Sequence, residues 1–152
     1  MRHERCILTD CFSGLSSDQS PALITYLPDN FDRIDPERKR PCVLICPGGG
    51  YRWRVTREGE PIALRFLAAG FNAFVLEYSL MPVSYPQQLL EISAAAALIR
   101  RNAEVWNVRA DQLAVCGFSA GGHVAACVGT MWNRQDVLDA SGCTGEEGKP
   151  NA

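Results

Sequence analysis

The chain has 152 residues, of which 47% are hydrophobic and 21% charged, and its formal net charge is -2. That balance suits a globular domain with a sizeable core and excludes a disordered chain. The longest basic run, Arg38-Lys39-Arg40, is too short to be a nucleic-acid footprint. No segment approaches the roughly 20 apolar residues that span a bilayer. The charged start, Met1 to Cys6, leads into no apolar stretch of signal-peptide type. The expectation is therefore a cytoplasmic protein with neither nucleic acid nor membrane as partner.

In chain order, residues 22–27 read as a strand closed by Pro28-Asp29-Asn30. Cys42-Val43-Leu44-Ile45-Cys46 is an unbroken apolar run of strand length that opens onto Pro47-Gly48-Gly49-Gly50. Such runs suit strands buried on both faces, as in a parallel sheet. A helix is expected over 58–69, with Ile62, Phe66 and Ala69 on one face and Gly70 as its left-handed stop. Residues 73–76 form the next buried strand, and a second helix runs over 86–104. Leu89, Ile92, Ala96, Ile99 and Ala103 share a face of it, and Asn107 suits a left-handed ending. A third buried strand at 113–116 feeds a helix over 120–132. Strand and helix alternating in this way imply an α/β fold of three layers, α/β/α, on a mostly parallel sheet with right-handed crossovers. The core is expected within 22–132, with 133–152 a loop poor in apolar residues.

The seven cysteines suggest no disulfide framework. Cys42, Cys46 and Cys116 lie in apolar runs and Cys127 in an alanine-rich helix, so they read as small buried hydrophobes. No Cys-x-x-Cys occurs and the two histidines are far apart, so neither a metal site nor a cofactor is expected.

Two glycine motifs carry chemistry. Gly117-Phe118-Ser119-Ala120-Gly121 matches G-x-S-x-G and lies between a buried strand and a helix, where a nucleophile elbow must lie. A side chain at either glycine would clash with the adjacent strand or helix. The helix amino terminus would set free amides beside a developing negative charge. Pro47-Gly48-Gly49-Gly50-Tyr51 follows another buried strand, and its glycines let backbone amides approach a ligand closely. The plain alternatives are a tight turn and a flexible loop. A phosphate-cradling reading fails because no Gly-Lys-Ser/Thr follows, and the spacing does not fit G-x-G-x-x-G.

Together with Arg57-Glu58-Gly59-Glu60-Pro61, Glu77-Tyr78-Ser79 and Cys116 to His123, these motifs resemble the carboxylesterase branch of the α/β-hydrolases. That branch includes acetyl-xylan and feruloyl esterase-like enzymes and hormone-sensitive-lipase relatives. The likeness runs from Ala22 onward and implies an α/β-hydrolase fold truncated after the nucleophile helix. It implies Ser119 as nucleophile and Gly49, Gly50 and Ala120 as oxyanion-hole amides. Pro47 stands where many relatives have His, and Glu77 stands where Arg is expected, so no anion-binding role is carried to that position. Tyr51 and Trp53 are candidates to line an acyl or sugar pocket, with ordinary packing an equal alternative. His123 is expected behind the elbow, in a supporting role.

In this fold the triad runs Ser, then Asp or Glu, then His. After Ser119 the one histidine is His123, and Asp136 and Asp139 come too early. The resemblance therefore places the acid and base beyond Ala152 and leaves the strand at 113–116 with an open edge. That edge is expected to favour self-association. The implied activity is hydrolysis of a small-molecule or carbohydrate ester, such as acetyl or feruloyl groups on plant-wall sugars. The chain alone is expected to be inactive. The alternative is a non-catalytic α/β module that binds or assembles.

Overall fold

The computed structural model describes residues 1–152. Each expected apolar run forms a strand: β2 is Ala22–Tyr26, β3 is Arg40–Cys46, β4 is Asn72–Glu77 and β5 is Val108–Gly117. A short strand at the start, β1 (Arg5–Ile7), completes a five-stranded sheet of order β1-β2-β4-β3-β5. Strands β4, β3 and β5 are parallel, with Leu44 opposite both Phe74 and Val115. Strands β1 and β2 pair antiparallel, and β2 pairs antiparallel with β4. The sheet is thus mixed and not mostly parallel. Residues 1–26 form a hairpin-like edge, and parallel order begins only at β3.

Between the strands lie α2 (Glu60–Ala68), α3 (Gln87–Arg101) and α4 (Ala120–Met131). Pro61 at the start of α2 loses no helical hydrogen bond there. Its buried contact is Ala63, flanked by half-buried Ile62 and Phe66, while Ala69 turns to solvent. On the other sheet face, α3 is buried from Gln88 to Ile99, well beyond the single face expected. It is enclosed because α4, α5 and α1 pack around it as well as the sheet. No helix is long and apolar enough to cross a membrane.

Both ends of the chain join this core, contrary to the expected limits of 22–132. At the start, α1 (Leu8–Cys11) places Leu8 in the interior, and Phe12 and Leu15 follow it there. At the end, residues 133–152 are not simply a loop, because α5 (Gln135–Ser141) buries Val137 against α3. One apolar side chain per turn is enough to dock a short helix when a larger helix supplies the opposing surface. Gly142 then takes the left-handed stop at φ 70°. Arg101 donates to both carboxylate oxygens of Glu147, which holds that carboxyl down at about 2. Arg100 donates to the Glu147 carbonyl and to Asn151 Oδ1, so two arginines of α3 tie the tail down.

The tail also alters the expected open edge of β5. Asn151 N donates to Leu113 O at 2.8 Å, and Val115 N donates to Ala152 O at 2.8 Å. Residues 151–152 thus take the hydrogen-bonding places of a neighbouring strand along 113–115, and the edge is only partly open. On the α2 side, Ala114, Cys116 and Phe118 remain half-exposed, so β5 is not buried on both faces.

Candidate active site

The site forms where β3 and β5 end side by side. Ile45 pairs with Cys116 and Cys46 with Gly117, so both glycine motifs leave the sheet at the same level. Phe118 N donates to Cys46 O at 3.1 Å, fastening one turn to the other. Gly117 and Gly121 are required by close approach. A Cβ at Gly117 would stand 2.2 Å from Gly121 O, and one at Gly121 would stand 2.0 Å from Cys46 O. A backbone carbonyl cannot yield at such distances without moving the strand or helix that carries it.

Ser119 is held at φ 50° and ψ -116°, a sparsely populated region for a residue with a Cβ. It is exposed, and α4 starts immediately after it. The amides of Gly49, Gly50 and Ala120 donate to no group in the chain, whereas Gly48 N donates to Glu58 Oε2 at 2.9 Å. Free amides at a helix amino terminus and in a glycine loop are donors to a negatively charged oxygen. The two loops abut closely: a Cβ at Gly48 would stand 3.2 Å from Ser119 Cβ.

Beside the glycine loop opens a cavity of about 300 Å³, lined in part by Gly50, Tyr51, Val83, Tyr85, His123 and Cys127. Tyr51 therefore faces the cavity, held at φ 60° with its carbonyl accepting from Met81 N at 2.7 Å. Trp53 does not line it; this side chain is 60% exposed and lies against Gly49. His123, expected behind the elbow, sits on the cavity wall one turn beyond Ser119. Its Nδ1 shares a 2.6 Å hydrogen bond with the Tyr51 hydroxyl, and its Nε2 lies 3.6 Å from Cys127 Sγ. The remaining histidine, His3, is bound to Thr25 O. Neither imidazole hydrogen-bonds the Ser119 hydroxyl.

Burial pushes the Cys127 thiol up. Of the cysteines read as buried hydrophobes, Cys42 and Cys46 are fully buried, with Cys42 pushed up to about 12, while Cys116 and Cys127 are half-buried. All seven are free thiols. No cluster of three or more His, Cys, Asp or Glu side chains is placed to hold a metal ion. Glu77, at the position expected to be Arg, pairs with Arg5 at 2.9 Å and ends β4, opposite Ala22 of the antiparallel β2.

Three further side chains shape the site without having been assigned a role from sequence. Tyr78, fully buried, donates to Pro47 O at 2.6 Å, and Arg54 donates to Tyr78 O at 2.7 Å. Glu58 holds Gly48. Glu58 and Tyr78 lie in motifs that carry the family resemblance; only their partners were invisible.

Parallel strands in a mixed sheet, with a strained serine between strand and helix facing a glycine loop at the end of the neighbouring strand, define the α/β-hydrolase fold. A solved α/β hydrolase, MGS-M1 from a Medee basin deep-sea metagenome library, superposes with a TM-score of 0.79 at 36% identity. The match covers 88% of this chain and 52% of that one. Within this fold the chain belongs to the BD-FAE family, whose model matches residues 26–150. It is 37% identical over 131 residues to an endo-1,4-beta-xylanase B of Butyrivibrio fibrisolvens, covering 80% of this chain and 20% of that protein. It is 29% identical to an acetylxylan esterase of Xylanibacter ruminicola, covering 78% of this chain and 23% of that one. The chain thus spans about a fifth of these curated relatives and about half of the solved structure.

Proposed function

We propose that this chain carries the acylation half of a serine carboxylic-ester hydrolase acting on small acyl esters, with Ser119 as nucleophile. The observation that supports this best is the conjunction at the sheet end. A strained serine is set against three unengaged amides, those of Gly49, Gly50 and Ala120. In this reading Ser119 Oγ attacks the ester carbonyl carbon and its proton passes to a base. The carbonyl oxygen becomes an oxyanion received by the three amides. The carbon–oxygen bond to the alcohol then breaks, the alcohol leaves with a proton, and water later releases the acyl group. Each amide donor of this kind contributes about 2.7–4 kcal/mol to transition-state stability.

The triad acid and base lie outside residues 1–152 in this reading, because both histidines are engaged elsewhere. Turnover by the chain alone is therefore not expected. The likeness to an acetylxylan esterase favours acetyl groups on plant-wall sugars, and feruloyl groups are the second candidate. The cavity beside Gly50, with Tyr51 on its wall, is the place for part of such a substrate; Trp53 is better placed to meet a sugar outside it. The open part of the β5 edge is where a second copy would pair.

The expected result with a fluorophosphonate is slow covalent labelling of one serine, Ser119, in the folded chain. Residual assistance from an oxyanion hole survives the loss of a triad member. Labelling should vanish in Ser119→Ala and on unfolding in urea. Labelling spread over several serines would favour a binding or assembly module instead.

A further inference from the structure

We propose that Glu58 is a positioning residue for the oxyanion hole: its carboxylate clamps Gly48 so that the Gly49 and Gly50 amides stay free and aimed at Ser119. This rests on the reading of Ser119 as nucleophile. The Arg57-Glu58-Gly59-Glu60-Pro61 segment is otherwise unexplained by the chemistry, since it contributes no group to the cavity and lies ten residues downstream of the glycine loop.

The geometry is specific. Gly48 is gripped at both ends of its backbone by the segment that follows the loop. Its N–H donates to Glu58 Oε2 at 2.9 Å and its carbonyl accepts from Val55 N at 3.0 Å. Glu58 is placed for this by a single 3₁₀ turn, Thr56–Glu58, and its side chain is only 20% exposed. Next in the loop, Gly49 O accepts from Arg52 N at 3.1 Å. The loop is thus anchored through Gly48 and the Gly49 carbonyl, and the Gly49 and Gly50 amides are the ones left over. Gly48 is packed closely between that carboxylate and the elbow. A Cβ at Gly48 would stand 2.9 Å from Glu58 Oε2, 2.6 Å from Phe118 O and 3.2 Å from Ser119 Cβ.

A negative charge at this place would oppose an oxyanion forming nearby. The benefit of Glu58 therefore comes from its hydrogen-bond acceptance and not from its charge. Glutamine can supply the same acceptor. Its amide nitrogen would then replace Oε1, whose one charged partner is Arg57 at 4.0 Å. Alanine cannot supply it.

The experiment compares the rate of fluorophosphonate labelling at Ser119 in the 152-residue chain with those of Glu58→Gln and Glu58→Ala. Amide hydrogen exchange at Gly48, Gly49 and Gly50 is followed by NMR in the same samples. Misplacing donors by about an ångström costs on the order of 100-fold in rate. Glu58→Ala is expected to label about 10- to 100-fold more slowly, with faster exchange at Gly48. Glu58→Gln is expected to keep the wild-type rate or exceed it, with Gly48 still protected. If the alanine variant does not fold, Glu58→Asp, one methylene short of Gly48, replaces it. Wild-type labelling and unchanged exchange in Glu58→Ala would overturn the proposal, as would a glutamine variant as slow as the alanine one. An unsubstituted chain that does not label at Ser119 counts against the nucleophile reading. Exchange at Gly48 still tests the clamp in that case.

Discussion

Gly121→Ala is expected to destabilise the chain by about 3 kcal/mol or more, whereas Gly129→Ala, in the same helix, should stabilise it by about 1 kcal/mol. The two substitutions add the same methyl group to α4, and helix propensity favours alanine equally at both. They differ in what the methyl meets. At Gly121 the new Cβ would stand 2.0 Å from Cys46 O and 2.6 Å from Pro47 O, both backbone atoms. β3 is pinned between β4 and β5 and cannot retreat. At Gly129 nothing lies within 4 Å. Urea denaturation of the two variants measures the difference directly. A Gly121→Ala midpoint equal to that of the wild type would mean that α4 does not press on the end of β3, and the elbow would lose its support.

Ser119→Gly is expected to be more stable than the wild type by about 1 kcal/mol while losing all labelling by acylating reagents. Holding a residue with a Cβ at φ 50° and ψ -116° costs about 1–3 kcal/mol, and glycine removes most of that cost. Part of the gain is returned because glycine orders a more flexible chain, at about 0.5–1 kcal/mol. Ser119→Ala keeps the Cβ and the strain, so its stability should stay within about 0.5 kcal/mol of the wild type. The order of thermal stability, Gly above Ser and Ala, separates backbone strain from side-chain contacts. Strain kept at a position where no contact needs it is what a reactive serine on a tight turn requires, and stability is traded for it. A glycine variant less stable than the alanine variant would contradict this.

The elbow and the glycine loop were legible because each is a local pattern: an apolar run, a glycine cluster, then a helix. The registers that bring them together, Ile45 opposite Cys116 and Cys46 opposite Gly117, follow from those runs ending at equivalent points. Asn107, singled out for a left-handed ending, does adopt φ 52°, although α3 has stopped six residues earlier. What could not be read depends on distant partners. β1 and α1 are short and weakly patterned, and they form because β2 and the core accept Cys6 and Leu8. Gly, Ser and charged residues made 133–152 look like a loop, yet Arg100 and Arg101 supply from α3 the order that the tail lacks on its own. The burial of α3 on all sides likewise comes from neighbours and not from its own periodicity. At the site, Ser119 and the glycines were visible as a motif, whereas Glu58, Tyr78 and Arg54 work through hydrogen bonds to backbone atoms. Such contacts leave no spacing to detect. Tyr51 and Trp53 lie close together in sequence but part company at the loop, one facing the cavity and the other solvent.

The most direct test of Ser119 as an acyl acceptor is the reaction of the folded chain with p-nitrophenyl acetate, followed by intact-mass measurement and peptide mapping. The predicted result is one acetyl group per chain, carried on Ser119, with a stoichiometric release of p-nitrophenol and no sustained turnover. Acetylation that is unchanged in Ser119→Ala, or distributed over lysines and other serines, would contradict it.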